Sequence, residues 1–214
     1  MLFRSLMKKN LTIFSAVVAL LGAILFSVVP SEPARAAEKN PMIAAGSPTV
    51  ELVTNHGTIT IQLDEARAPF TVANFLTYVK SSHYDGTIFH RVIPQFMIQG
   101  GGFTTEFEKK PTNDMIPNEA DNGLKNLPGT IAMARTSDPH SATAQFFINT
   151  ANNRFLNHTR KSQRGWGYTV FGQVISGIDV VRKIEQVETG AGGIFAKDAP
   201  QQAVIIQSVK LISK

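Results

Sequence analysis

The sequence predicts a mainly β domain, a closed or nearly closed antiparallel barrel capped by two helices. Three observations lead there. Short runs rich in Val, Ile, Thr and Phe recur between turn residues from Val50 to Ile212. Helical periodicity is confined to Pro69 to Lys80 and Asp179 to Gln186. Many short strands with so few helices do not make a doubly wound α/β sheet, and closure is the arrangement that removes their exposed edges.

The chain opens with Arg4, Lys8 and Lys9, continues with an almost wholly apolar run from Leu11 to Val29, and then reaches Ala34-Arg35-Ala36. This is the basic, apolar, small-residue order of a secretory signal, so residues 1–36 are assigned to one, with cleavage after Ala36. The apolar run is also near the length that spans a bilayer, and a retained N-terminal anchor is the competing reading. Both readings put the rest of the chain outside the cytoplasm.

Residues 37–48, with Pro41, Gly46 and Pro48, read as a linker or loosely fixed arm, and 49–214 as a single domain with a substantial core. Subtracting the four basic residues and one acidic residue before Ala37 from totals of 21 and 16 leaves 17 and 15. That near balance, without a long basic run, gives no electrostatic reason to expect nucleic acid as a partner. The absence of cysteine excludes disulfides and thiol catalysis.

Val50 to Thr54 and Thr58 to Leu63 flank Asn55-His56-Gly57 and predict a hairpin. Ile59, Ile61 and Leu63 alternate with Thr58, Thr60 and Gln62, which gives the second strand one buried face. Pro69 opens the better helix, whose Val72, Phe75, Leu76 and Val79 form one stripe. After the turn at Asp85-Gly86-Thr87, strands are expected at Arg91 to Ile93 and Phe96 to Gln99. Phe103 to Gly129 reads as surface loops, Thr130 to Ala134 as a strand, Gln145 to Asn149 as a buried strand, and Asn152 to Gly167 again as loop. Thr169 to Val174 is a strand, Asp179 to Gln186 the weaker helix, Thr189 to Gly193 a flexible segment, and Gln202 to Ile212 the closing strand.

Arg91 is the one cation among Phe89, Val92, Ile93, Phe96, Met97 and Ile98. A guanidinium is rarely buried alone, so its expected place is the rim of an apolar surface, where its fork of donors meets a carboxylate or a ligand. The five histidines are dispersed without metal-ligand spacing, and no nucleophile elbow surrounds Ser141. No metal site and no cofactor are therefore expected.

Four blocks carry a family resemblance: FHRVIPQFMIQGG from Phe89, IAMAR from Ile131, AQFFINT from Ala144 and YTVFGQVISG from Tyr168. In order and spacing they resemble the cyclophilin-type peptidyl-prolyl cis-trans isomerases. The resemblance spans Val50 to Ile212 and implies a closed eight-stranded antiparallel barrel with a helix at each end and a groove on one outer face. It implies Arg91 as the catalytic guanidinium, with Phe96, Met97, Phe147 and Leu156 as the surface that holds proline. Gln99 and Gln145 match groove glutamines, and Ala134 the small residue beside the peptide path. Arg135 replaces an asparagine that commonly follows that alanine. Phe155 stands where many eukaryotic members carry a tryptophan, and Tyr168 where they carry a histidine. Both replacements are similar to those of bacterial periplasmic members. The resemblance thus implies a periplasmic rotamase acting on proline-containing peptides and on unfolded or partly folded proteins, as a monomer.

Overall fold

A computed structural model describes residues 39–213, so the assigned signal or anchor lies outside the described residues. The predicted hairpin forms from β1 (Thr49–Thr54) and β2 (Gly57–Leu63), paired antiparallel with Thr54 opposite Gly57. Ile59, Ile61 and Leu63 are all fully buried, as their alternation requires. Helix α1 (Pro69–Lys80) begins on its proline and buries Val72, Phe75, Leu76 and Val79. No side chain of its own segment caps it. Glu119 does so from the long loop, its carboxylate accepting the N–H groups of Phe70 and Thr71 at 3.1 and 2.8 Å and the Thr71 hydroxyl at 2.6 Å. A distant anion thus meets the free donors and the positive end of the helix dipole.

The remaining elements are β3 (Thr87–Ile88), β4 (Arg91–Ile93), β5 (Met97–Gly100), β6 (Thr130–Met133), β7 (Phe146–Asn149), β8 (Val170–Ser176), α2 (Ile178–Glu185), β9 (Thr189–Gly192), β10 (Phe195–Pro200) and β11 (Ile205–Ser213). Nine of the strands make one curled sheet in the order β3-β11-β1-β2-β8-β6-β7-β5-β4. Two details of the expected barrel are corrected. The strand count is nine rather than eight, and the edge strands β3 and β4 are not hydrogen-bonded to each other. They are successive pieces of one run, broken at Phe89-His90, where the Phe89 N–H turns to the Val204 carbonyl at 2.9 Å. Covalent continuity joins the two edges in place of a ladder.

Thr189 to Gly193 is also not a flexible segment. It forms β9, which pairs with β10 in a hairpin of its own, with Gly192 opposite Phe195. The arm before the barrel is fastened too. Asn40 donates from Nδ2 to the Lys125 carbonyl at 2.9 Å and accepts the Lys125 N–H at 2.8 Å.

The period-two alternation of the sheet produces two separate apolar clusters. Val92, Ile98, Ile131, Phe146 and Ile148 face the main core with Phe75, Tyr84 and Phe171. Their sequence neighbours Met97, Ala132 and Phe147 form a second cluster on the outer face, with Leu124, Leu156 and Val170. Ile93, Phe96, Ala134 and Tyr168 pack around it. That outer cluster is where the residues singled out from sequence meet.

Candidate active site

Register brings the polar residues to this surface. On β4 Arg91 lies opposite Gln99 of β5, and Gln99 lies opposite Phe147 of β7, so the three form a row across neighbouring strands. A hollow of about 390 Å³ opens above them, lined by Arg91, Phe96, Met97, Gln99, Ala134, Arg135, Gln145, Phe147, Leu156 and Tyr168. Met97, Phe147 and Leu156 make a nearly buried floor. Phe155 is the one expected site residue outside this lining. It stands 74% exposed beside it, stacked on Phe96 with ring centroids 5.5 Å apart.

The Arg91 side chain is 40% exposed, and its Nε lies 3.5 Å from Oδ2 of Asp198 on β10. This carboxylate partner was not identified from sequence. Gln99 does not hold Arg91; its Nε2 donates to Oε1 of Gln145 at 3.0 Å. Of the glycines after Gln99, Gly102 makes room for that pair. A Cβ on Gly102 would lie 2.4 Å from Gln145, and Gly101, at φ +82°, sits against the rings of Tyr84 and Phe146.

Arg135 lies along the hollow rather than into solvent. Its Nε donates to the Gly167 carbonyl at 2.9 Å, an Nη1 donates to the Thr136 carbonyl at 2.8 Å, and its Cζ sits 4.5 Å from the Tyr168 ring centroid. Beneath the apolar floor, buried asparagines join the walls. Asn153 donates to the Phe96 carbonyl at 2.8 Å and to Asn149 at 2.7 Å, Asn149 donates to Asn126 at 3.1 Å, and Asn126 donates to the Leu156 carbonyl at 3.2 Å.

His90, Phe103 and Phe195 also line the hollow and were missed from sequence. Phe195 follows the turn at Gly193, and a Gly-Gly pair between short runs was the available signal for a hairpin. Its ring stacks on His90 at 5.1 Å, while Phe103 packs on the same imidazole at 4.7 Å. Ring packing therefore holds the His90 imidazole, whose Nδ1 has no hydrogen-bond partner among the described residues. Burial pulls its pKa from 6.5 down to about 4, helped by the nearby Arg91 charge and opposed by a backbone contact to Ile88.

The lowered pKa makes stability depend on pH. The folded protein resists protonation that the unfolded chain accepts, so this contribution is complete above pH 6.5 and is lost as the pH falls toward 4. Between pH 7 and 5 the loss is about 2 kcal/mol, since each tenfold difference in proton affinity between the folded and unfolded chain is worth ~1.4 kcal/mol. Urea unfolding of wild type and His90→Phe at both pH values checks it: the wild type loses that increment relative to the variant. Equal losses in the two proteins would exclude His90 as the source.

Comparison with known proteins agrees with this geometry. Residues 49–211 match the family model described as cyclophilin type peptidyl-prolyl cis-trans isomerase/CLD. A peptidyl-prolyl cis-trans isomerase of Streptomyces antibioticus is 60% identical over 164 residues, covering 77% of this chain and 98% of that one. Peptidyl-prolyl cis-trans isomerase A of Dickeya dadantii is 52% identical over 176 residues, covering 82% and 90%. The crystal structure of a Cryptosporidium parvum cyclophilin type isomerase in the presence of the dipeptide Ala-Pro superposes with a TM-score of 0.62 at 25% identity, over 78% of this chain and 99% of that one. With the curled sheet, its two helices and an outer apolar groove rimmed by an arginine, these matches make the chain a member of the cyclophilin-type peptidyl-prolyl cis-trans isomerase family.

Proposed function

We propose that this isomerase accelerates rotation about X-Pro bonds in proteins outside the cytoplasm and so assists their folding, with Arg91 as its electrostatic catalyst. The observation that carries the assignment is the Arg91 fork at the edge of a hollow walled by Phe96, Met97, Phe147 and Leu156. Amide planarity comes from donation of the nitrogen lone pair into the carbonyl, and rotation must break that overlap at a barrier of roughly 18–20 kcal/mol. In the twisted amide the proline nitrogen becomes pyramidal and accepts a hydrogen bond, which it does poorly while planar.

A guanidinium N–H aimed there binds the transition state more tightly than either ground state. The apolar walls grip the pyrrolidine ring, so rotation is confined to the acyl side. The Gln99–Gln145 pair offers polar groups along the peptide path. The test is exchange of a short Ala-Pro peptide followed by NMR. Exchange far above the spontaneous rate is expected, and binding without faster exchange would make the groove a peptide-binding module.

Delivery to the periplasm is supported by the order of charges and apolar residues in 1–36. The length of the apolar run favours a second form, tethered to the membrane. Intact mass of the protein from fractionated cells separates them. A soluble species beginning at Ala37 is expected, and Met1 retained in the membrane fraction would establish the tether.

A further inference from the structure

Two further hollows flank the central one, and their charges differ. One, of about 540 Å³, adjoins it at Gln99, Ala134 and Gln145 and carries both signs, with Lys109 and Arg135 against Asp114 and Asp138. The other, of about 840 Å³, adjoins it at Phe96, Leu156 and Tyr168 and extends past Phe155. Its charged lining is Arg91, Arg135 and Arg164, with no carboxylate. This cationic side is thus continuous with the central hollow and open to a flank of a peptide whose proline fills it.

The three arginines are presented in different ways. Arg135 is oriented by two carbonyls and the Tyr168 ring. Arg91 has Asp198 at 3.5 Å on its Nε side. Arg164 is exposed on a turn closed by the Gly165 N–H to Ser162 carbonyl bond at 3.0 Å and the Trp166 N–H to Ser162 carbonyl bond at 2.9 Å. The acid near that turn, Asp121, is engaged by Lys161 at 2.9 Å. Among the described residues Arg164 has no ion pair.

Resting on the isomerase reading above, we propose that this flank is a subsite for an acidic side chain beside the substrate proline, so that Asp or Glu there raises turnover and Lys lowers it. A guanidinium fork suits a carboxylate bidentately, and a like charge brought among three cations is repelled. With the partners largely exposed, the preference for Glu over Lys in kcat/KM is expected to be about 5-fold at low salt and to shrink as salt screens it.

The experiment uses peptides in which Glu, Gln or Lys is placed immediately before or immediately after an Ala-Pro unit, with exchange followed by NMR so that no protease preference enters. Glu over Gln over Lys is expected at one of the two positions, with the order lost or inverted in Arg164→Glu. Because each protein is judged by a ratio of its own rates, a change in overall activity does not imitate the effect. Equal rates for the three peptides at both positions, or a preference unchanged in R164E, overturns the subsite. If no peptide of any charge is accelerated, the isomerase reading fails instead. Titration of the same peptides, followed by amide shifts, then still decides whether Glu binds more tightly than Lys.

Discussion

Arg91→Ala lowers kcat/KM for an Ala-Pro peptide by at least about 100-fold while leaving stability within ~1 kcal/mol of wild type. The two halves of that expectation come from one geometry. The side chain is 40% exposed and its charged contact to Asp198 is long, at 3.5 Å, so the folded state depends on it little. Its energetic role belongs to the moment when the proline nitrogen pyramidalises. A charge-assisted hydrogen bond is worth roughly 1.5–3 kcal/mol, and a 100-fold loss corresponds to about 2.7 kcal/mol.

The partition between kcat and KM identifies the cause. Phe96, Met97, Phe147 and Leu156 remain to hold the ring, so KM changes little and kcat carries the loss. Arg91→Lys keeps the charge without the planar fork and is expected to fall between wild type and alanine. NMR exchange at saturating peptide measures both parameters, and urea unfolding verifies the fold. Near-normal turnover in a folded R91A protein would reject Arg91 as the catalyst and leave the apolar walls as the whole of the machinery.

Arg91 was legible because a lone cation broke an apolar alternation, and its setting followed from register. Val92, Ile98 and Phe146 must face the core, which sends Arg91, Gln99 and Phe147 to the other side. Helix α1 was legible because Pro69 marks its start and Val72, Phe75, Leu76 and Val79 its buried face. The joint at β3 and β4 was not, since β4 was expected from its alternation but the two residues of β3 are too short to show a period. Asp198 was hidden for another reason. It sits at φ +67° in a segment whose Gly190, Gly192 and Gly193 read as mobility, and only the folded hairpin carries it to Arg91. Glu119, Asn126 and Asn153 share that character, being ordinary loop residues in sequence, and Asn149 ends an expected strand; topology chooses the partners of all four.

Among those residues Asn149 has the largest expected effect on the fold. Asn149→Leu destabilises the protein by about 4 kcal/mol, and lowers Tm by roughly 10 °C for a domain of this size. Asn149 is fully buried on β7, opposite Met97. The substitution leaves Oδ1 of Asn126 without its donor and removes one of the two acceptors of Asn153 Nδ2. The Thr130 hydroxyl, which accepts from Asn149 Nδ2 at 2.9 Å, is spared part of the cost because it still donates to the Leu127 carbonyl at 2.8 Å. Each stranded group costs about 1–3 kcal/mol, and a branched side chain forced into a packed site adds about 1–3 kcal/mol more.

The same loss reaches the groove. Asn149 is the link between the asparagines that hold the Phe96 and Leu156 carbonyls, so both walls lose their shared tether and KM for the peptide rises more than kcat falls. A double-mutant cycle with Asn126→Leu separates the network from simple crowding. If the hydrogen bond matters, the double variant costs less than the sum of the singles by about 1 kcal/mol or more. Additive costs would reduce Asn149 to a packing residue, and a loss below about 1 kcal/mol in the single variant would mean that the buried amides find other partners.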